Sequence, residues 1–81
     1  MRVHFTEPFQ KQLKELPAVI RRKFEKQLSF LLHDTRYPSL HAKKYDAARD
    51  IWQGRVNGMY RFYWRIENDT YIILAIKHHP D

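Results

Sequence analysis

The apolar side chains of this chain change their period once. From Phe9 to Leu32 they recur every three or four residues, and from Ile51 to the end they alternate. A strand turns successive side chains to opposite faces, whereas a helix returns to one face about every 3.6 residues. The first half is therefore committed to helices and the second to a sheet. Helices grouped ahead of an antiparallel sheet define an α+β fold with the helices packed on one sheet face.

Local signals divide the chain further. Val3 and Phe5 alternate with Arg2 and His4, which predicts a short N-terminal strand. Thr6 reads as an N-cap with Glu7 and Pro8 in the first turn. Phe9, Leu13 and Leu16 then predict a helix over 7–16. Pro17 ends that helix or opens the next. Ile20, Phe24, Leu28, Leu31 and Leu32 predict a second helix over 18–33, with Arg21, Arg22, Lys23 and Lys26 on its solvated face. So short a break makes the pair an antiparallel hairpin. Residues 34–48 read as a loop, broken by Pro38 and Ser39, with Lys43 and Lys44 in its middle. Ile51–Val56, Tyr60–Ile66 and Tyr71–His78 read as strands, separated by the turn dipeptides Asn57-Gly58 and Asn68-Asp69. The expected order is β-α-α-β-β-β: a short N-terminal strand, a two-helix hairpin and a three-stranded meander, one domain over residues 1–81.

Alternation then assigns faces. Tyr60, Phe62, Trp64 and Ile66 belong to the core, which puts Arg61, Tyr63 and Arg65 on the other face. Trp52 and Val56 are core, so Gln53 and Arg55 point away. In the last strand Ile72, Leu74 and Ile76 form the apolar face, leaving Tyr71, Ile73, Ala75, Lys77 and His79 opposite. A three-residue loop, Asn57-Gly58-Met59, keeps cations with cations: it pairs Val56 with Tyr60, Arg55 with Arg61 and Trp52 with Trp64. Gly58 is expected to be its left-handed residue. The second turn pairs Phe62 with Ile76 and Arg61 with Lys77.

The consequence is a row of Arg55, Arg61 and Lys77 across three strands, ending at His79. Like charges directly opposite destabilise a sheet by roughly 0.2–1 kcal/mol per pair. A phosphate seat explains the row better than stability does, because arginine offers a planar fork of donors and lysine a point charge. Tyr63 lies alongside, placed to stack a base. The competing arrangement pairs each arginine with a local carboxylate such as Asp50 or Glu67.

Composition supports an anionic partner. Fifteen Lys and Arg against nine Asp and Glu give a net charge of +6, and the excess favours nucleic acid or an acidic protein. Cysteine is absent, which removes disulfides and thiolate chemistry. The five histidines show no metal-ligand spacing, so neither a metal nor another cofactor is expected. No apolar run approaches the ~20 residues of a spanning helix, and MRVHFTEPF does not read as a leader. The cytoplasm is the expected compartment.

The strand, helix hairpin, basic loop and meander together resemble the RelE/ParE superfamily of toxins from bacterial type II toxin–antitoxin systems. The resemblance rests on IWQGRVNGMYRFYWRIENDTYIILAIKHHPD, residues 51–81, and above all on Tyr60-Arg61 and the near-terminal His79. The histidine favours the RelE/YoeB-like branch. The resemblance implies a toxin held inactive by a cognate acidic antitoxin. RelE- and YoeB-like members cut mRNA on the ribosome, while ParE-like members poison DNA gyrase without nuclease chemistry. It further implies that Arg61 stabilises the transition-state phosphate, Arg55 binds phosphate and His79 is a general acid or base. The Lys43-Lys44 segment corresponds to the family's basic segment.

The residues support the nuclease on their own terms. A metal-free ribonuclease needs a base for the 2′-hydroxyl, an acid for the leaving 5′-oxygen, and cations for the phosphate. Histidine titrates near neutrality and suits the first two roles; Arg and Lys supply the third. Arg61, His79 and Arg55 are thus the candidate catalytic residues. Lys43, Lys44, Lys77, Tyr63 and Arg65 are the candidate RNA-binding residues. His78 has the opposite parity to His79. His4, His33 and His41 read as structural or surface residues. The other readings are a ParE-like gyrase inhibitor and a basic protein-binding module.

Overall fold

Thr6 stands at the junction of the first strand and the first helix and holds both to the far end of the chain. Its hydroxyl accepts from the Phe9 amide (3.4 Å) as an N-cap and donates to the Ile73 carbonyl (2.9 Å). The structure, a computed structural model, describes residues 1–79. Strand β1 spans Arg2–Phe5, helix α1 Glu7–Lys14 and helix α2 Ala18–His33. A 3₁₀ turn over Pro38–Leu40 follows, then β2 Lys43–Asp46, β3 Ile51–Arg55, β4 Tyr60–Glu67 and β5 Thr70–His78. The five strands form one sheet in the order β1-β5-β4-β3-β2. β1 runs parallel to β5 and the other pairs are antiparallel.

The α+β organisation is as expected, with one added strand. Lys43–Asp46 belongs to the sheet edge and not to a loop. Its sequence, Lys-Lys-Tyr-Asp, has no apolar alternation, because it covers no core. Lysines on an edge also discourage further strand pairing.

The core lies between the helices and the sheet. Phe9 from α1 and Phe24 and Leu31 from α2 bury against Phe62, Trp64, Ile73 and Ile76. An unbroken run of rings crosses it: Phe5 to Phe9 (5.5 Å), Phe9 to Phe24 (5.1 Å), Phe24 to Phe62 (5.2 Å) and Phe62 to Trp64 (5.0 Å). Aromatic pairs at such separations add about 0.5–1.5 kcal/mol each beyond their buried area. Gln27 is the polar exception on the α2 stripe. Its Nε2 donates to the carbonyls of Ser39 (3.0 Å) and Arg55 (2.7 Å), tying the helix to β3 and to the turn before β2.

Two details of the meander differ from expectation. The register between β3 and β4 is the expected one, with Arg55 opposite Arg61 and Trp52 opposite Trp64. Gly58, however, has no positive φ. The Asn57 side chain organises the loop instead, accepting from the Met59 and Tyr60 amides (2.8 and 2.9 Å). The second difference is a β-bulge. Tyr63 pairs with Ala75 but Trp64 pairs with Ile73, so Leu74 is an extra residue in β5. Beyond it the alternation reverses: Tyr71 and Ile73 are buried, while Ile72 and Leu74 leave the core face to which parity assigns them. Ile66 remains on the helix side but lies 41% exposed at the sheet margin. The bulge is anchored by Thr6, whose hydroxyl is also within 3.3 Å of the Leu74 carbonyl, and by Gln12, which accepts from the Ile76 amide (2.9 Å).

Candidate functional site

The arginines face each other on the sheet side away from the helices. The β3–β4 register sets Arg55 opposite Arg61, and the β4–β5 register sets Arg61 opposite Lys77. Arg55 and Arg61 line one cavity of about 440 Å³ together with Lys43, Gln53, His41 and His79. Lys43 arrives from the edge strand, directly opposite Gln53. The amide of His79 donates to the Met59 carbonyl (2.7 Å), which fixes the chain one residue past β5.

The two arginines are held differently. Arg61 is only 8% exposed, and its Nη1 donates to the carbonyls of Asn57 (2.7 Å) and Tyr60 (3.1 Å). That bonding locks the guanidinium over the β3–β4 loop. Arg55 has its Nε buried without a hydrogen-bond partner among the described residues. A buried donor left unmatched costs about 1–3 kcal/mol, so an anion seated here would relieve a cost already present. Among the described residues neither arginine, nor Lys43, forms an ion pair. Asp50 pairs with Lys44, and Glu67 with Arg65 at 3.2 Å.

The candidate residues divide into three groups. Arg55, Arg61, His79 and Lys43 converge on the cavity. Lys77 and Tyr63 lie beside it, in a smaller depression on the same sheet face. Lys44 and Arg65 are not brought in. Lys44 alternates to the other side of β2, where its Nζ sits 4.5 Å from the centre of the Trp52 ring and bonds Asp50. Arg65 is exposed and held by Glu67. His78 stands with Tyr60 on the helix side, their rings 5.5 Å apart.

His41 is the residue that sequence reasoning took as structural or surface and left out of the site. It has a left-handed backbone (φ 47°, ψ 42°), and its amide donates to the Pro38 carbonyl (3.2 Å) as the 3₁₀ turn closes. Non-glycine residues in this region are uncommon and concentrate at functional sites. The available signal was the proline-led turn immediately before a basic segment; it needed the edge strand to give it direction. Tyr63 has its phenol pushed up from 10.0 by burial and then by Tyr45, with Arg61 opposing the rise. Size alone does not choose the site. A larger hollow of about 840 Å³ beside β1 and the helices mixes apolar Val3, Phe5, Phe9 and Leu13 with polar and basic side chains.

An α+β fold with a cationic cavity on its open sheet face is the class these features define. Several solved structures share the fold. The YoeB/ParE toxin from Agrobacterium tumefaciens matches with a TM-score of 0.83 over 99% of this chain and 100% of that one, at 12% identity. The YoeB dimer from Staphylococcus aureus matches at 0.82 over 99% and 98%, with 13% identity. A chain of the archaeal RelE–RelB complex from Pyrococcus horikoshii OT3 matches at 0.78 over 95% and 92%, with 22% identity. At these identities the likeness is one of fold. No curated protein matches the sequence. The family model of the ParE toxin of type II toxin–antitoxin systems, parDE, matches residues 3–81, and the chain belongs to that family. The superfamily resemblance read from residues 51–81 therefore holds, and the matching model is the one named for ParE.

Proposed function

We propose that this toxin is a metal-free endoribonuclease that cuts mRNA, with the cavity between β2, β3 and β4 as its site. The observation that carries this reading is that two histidines, His41 and His79, line one cavity whose cations have no carboxylate partner among the described residues. The 2′-oxygen of the substrate attacks phosphorus, and the P–O5′ bond breaks. One imidazole takes the proton from the 2′-hydroxyl and the other gives a proton to the departing 5′-oxygen. The products are a 2′,3′-cyclic phosphate and a 5′-hydroxyl. Arg55, Arg61 and Lys43 hold the phosphate and offset the charge that grows on it. Fixed donors of this kind are typically worth ~10²–10³-fold in rate.

The partner that silences such a site is an acidic antitoxin, whose chain covers the cavity of a protein carrying +6. The site of action is the cytoplasm, on translating ribosomes. The direct test is expression of wild type against Arg61→Ala, with primer-extension mapping of a message. Cleavage by the wild type alone is expected. Intact message in the presence of translating ribosomes and purified wild-type protein would sink the reading. A second reading, inhibition of DNA gyrase, follows from the resemblance to ParE-like toxins, and the matching family model is the one named for ParE. That reading predicts loss of supercoiling activity with message intact, and a His79→Gln variant as potent as wild type.

A further inference from the structure

The open sheet face carries a second depression beside the cationic cavity, and its lining is of a different kind. It holds about 210 Å³ between Tyr45 and Tyr63, with Ile51, Leu74 and Ala75 as its floor and Lys77 at its rim. The two tyrosine rings meet edge to face, 4.8 Å apart at 63°. Tyr45 is 61% exposed. Apolar atoms on the solvent side of a sheet ask for an explanation, and here they were put there by a specific device. The bulge turns Leu74 out of the core, so that Leu74 and Ala75 together line the depression opposite Tyr63.

The two depressions are neighbours across single strand pairings. Tyr63 is opposite Gln53, which lines the cavity, and Lys77 is opposite Arg61. Arg61 is also close enough to Tyr63 to act on its phenol electrostatically. We infer that the Tyr45–Tyr63 depression is a nucleobase subsite, which takes by stacking a base of the single-stranded RNA whose phosphate occupies the Arg55–Arg61 cavity. A base needs a flat apolar contact beside a cation for the backbone. Aromatic rings on an aliphatic floor, with Lys77 at the rim and the arginines adjacent, supply both. This inference rests on the reading of the cavity as a phosphate site and adds to it the residues that select what lies next to the cut.

Binding tests it without any cleavage. The probes are a fluorescent 2′-O-methyl hexaribonucleotide, whose capped 2′-oxygen prevents reaction, and the same backbone with abasic residues. Dissociation constants come from anisotropy on the full chain. Tyr45→Ala is expected to weaken the base-bearing probe about tenfold or more and to leave the abasic probe unchanged. Tyr45→Phe is expected to bind as wild type, and Arg55→Met to weaken both probes. If Tyr45→Ala weakens both probes equally, or neither, the subsite is refuted and the phosphate site stands. If wild type binds neither probe, the phosphate site falls and takes the subsite with it. A wild type that self-associates through this patch, with Tyr45→Ala monomeric, assigns the patch to a second copy and overturns the inference.

Discussion

Arg55 and Arg61 face each other across β3 and β4, and each solves the problem of its charge differently. Arg61 spends Nη1 on the carbonyls of Asn57 and Tyr60, while Arg55 keeps a buried Nε without an acceptor among the described residues. The first is part of how the loop is built. The second adds nothing visible to folding, which separates function from stability at this pair.

Arg55→Met should therefore make the protein more stable and less active. It removes the repulsion and the orphan donor while keeping an unbranched stem. The relieved repulsion alone is worth about 0.2–1 kcal/mol, or roughly 1–8 °C in melting temperature for a domain of this size. RNA cleavage should fall ~10²-fold. A thermal melt and a cleavage assay on one preparation decide it; a less stable variant would mean that Arg55 has a folding role.

His41 and His79 should each carry one of the two proton transfers of cleavage. His41→Gln and His79→Gln are each expected to lower cleavage by ~10²–10⁴-fold. Unchanged cleavage in His41→Gln would return that residue to the structural or surface role read from the sequence.

Thr6→Ala should loosen both the start of α1 and the bulge. The hydroxyl caps the Phe9 amide and donates to the Ile73 carbonyl, and its loss should cost about 1–2 kcal/mol. Thr6→Ser keeps the hydroxyl and should recover most of that in urea unfolding. Equal losses in the two variants would assign the effect to the methyl group.

Gly54→Ala should strain the core from the sheet side. A Cβ there would lie 2.6 Å from Cζ3 and 2.9 Å from Cη2 of Trp64, and 3.1 Å from Cε1 of Phe62. Both rings are fully buried, so neither can swing away. Overpacking of this kind costs about 1–3 kcal/mol. A lower urea midpoint with an altered near-ultraviolet tryptophan signal is expected; an unchanged midpoint would show that the sheet yields there.

Periodicity by itself determined the order of elements, the helix–sheet division and the register that sets Arg55 against Arg61, because those follow from which side chains must avoid water together. It also placed Lys77 opposite Arg61. Tertiary structure decided the rest. Lys43–Asp46 is a strand only because β3 offers it hydrogen bonds, and that pairing sends Lys43 and Lys44 to opposite sides. Leu74 leaves the core because Thr6 and Gln12, more than sixty residues earlier in the chain, bond the backbone around the bulge. His41 enters the cavity because a 3₁₀ turn, tied by Ser39 to Gln27 on α2, aims it there. Local patterns record which residues need burial; they do not record bonds made between distant segments, and those bonds complete the site.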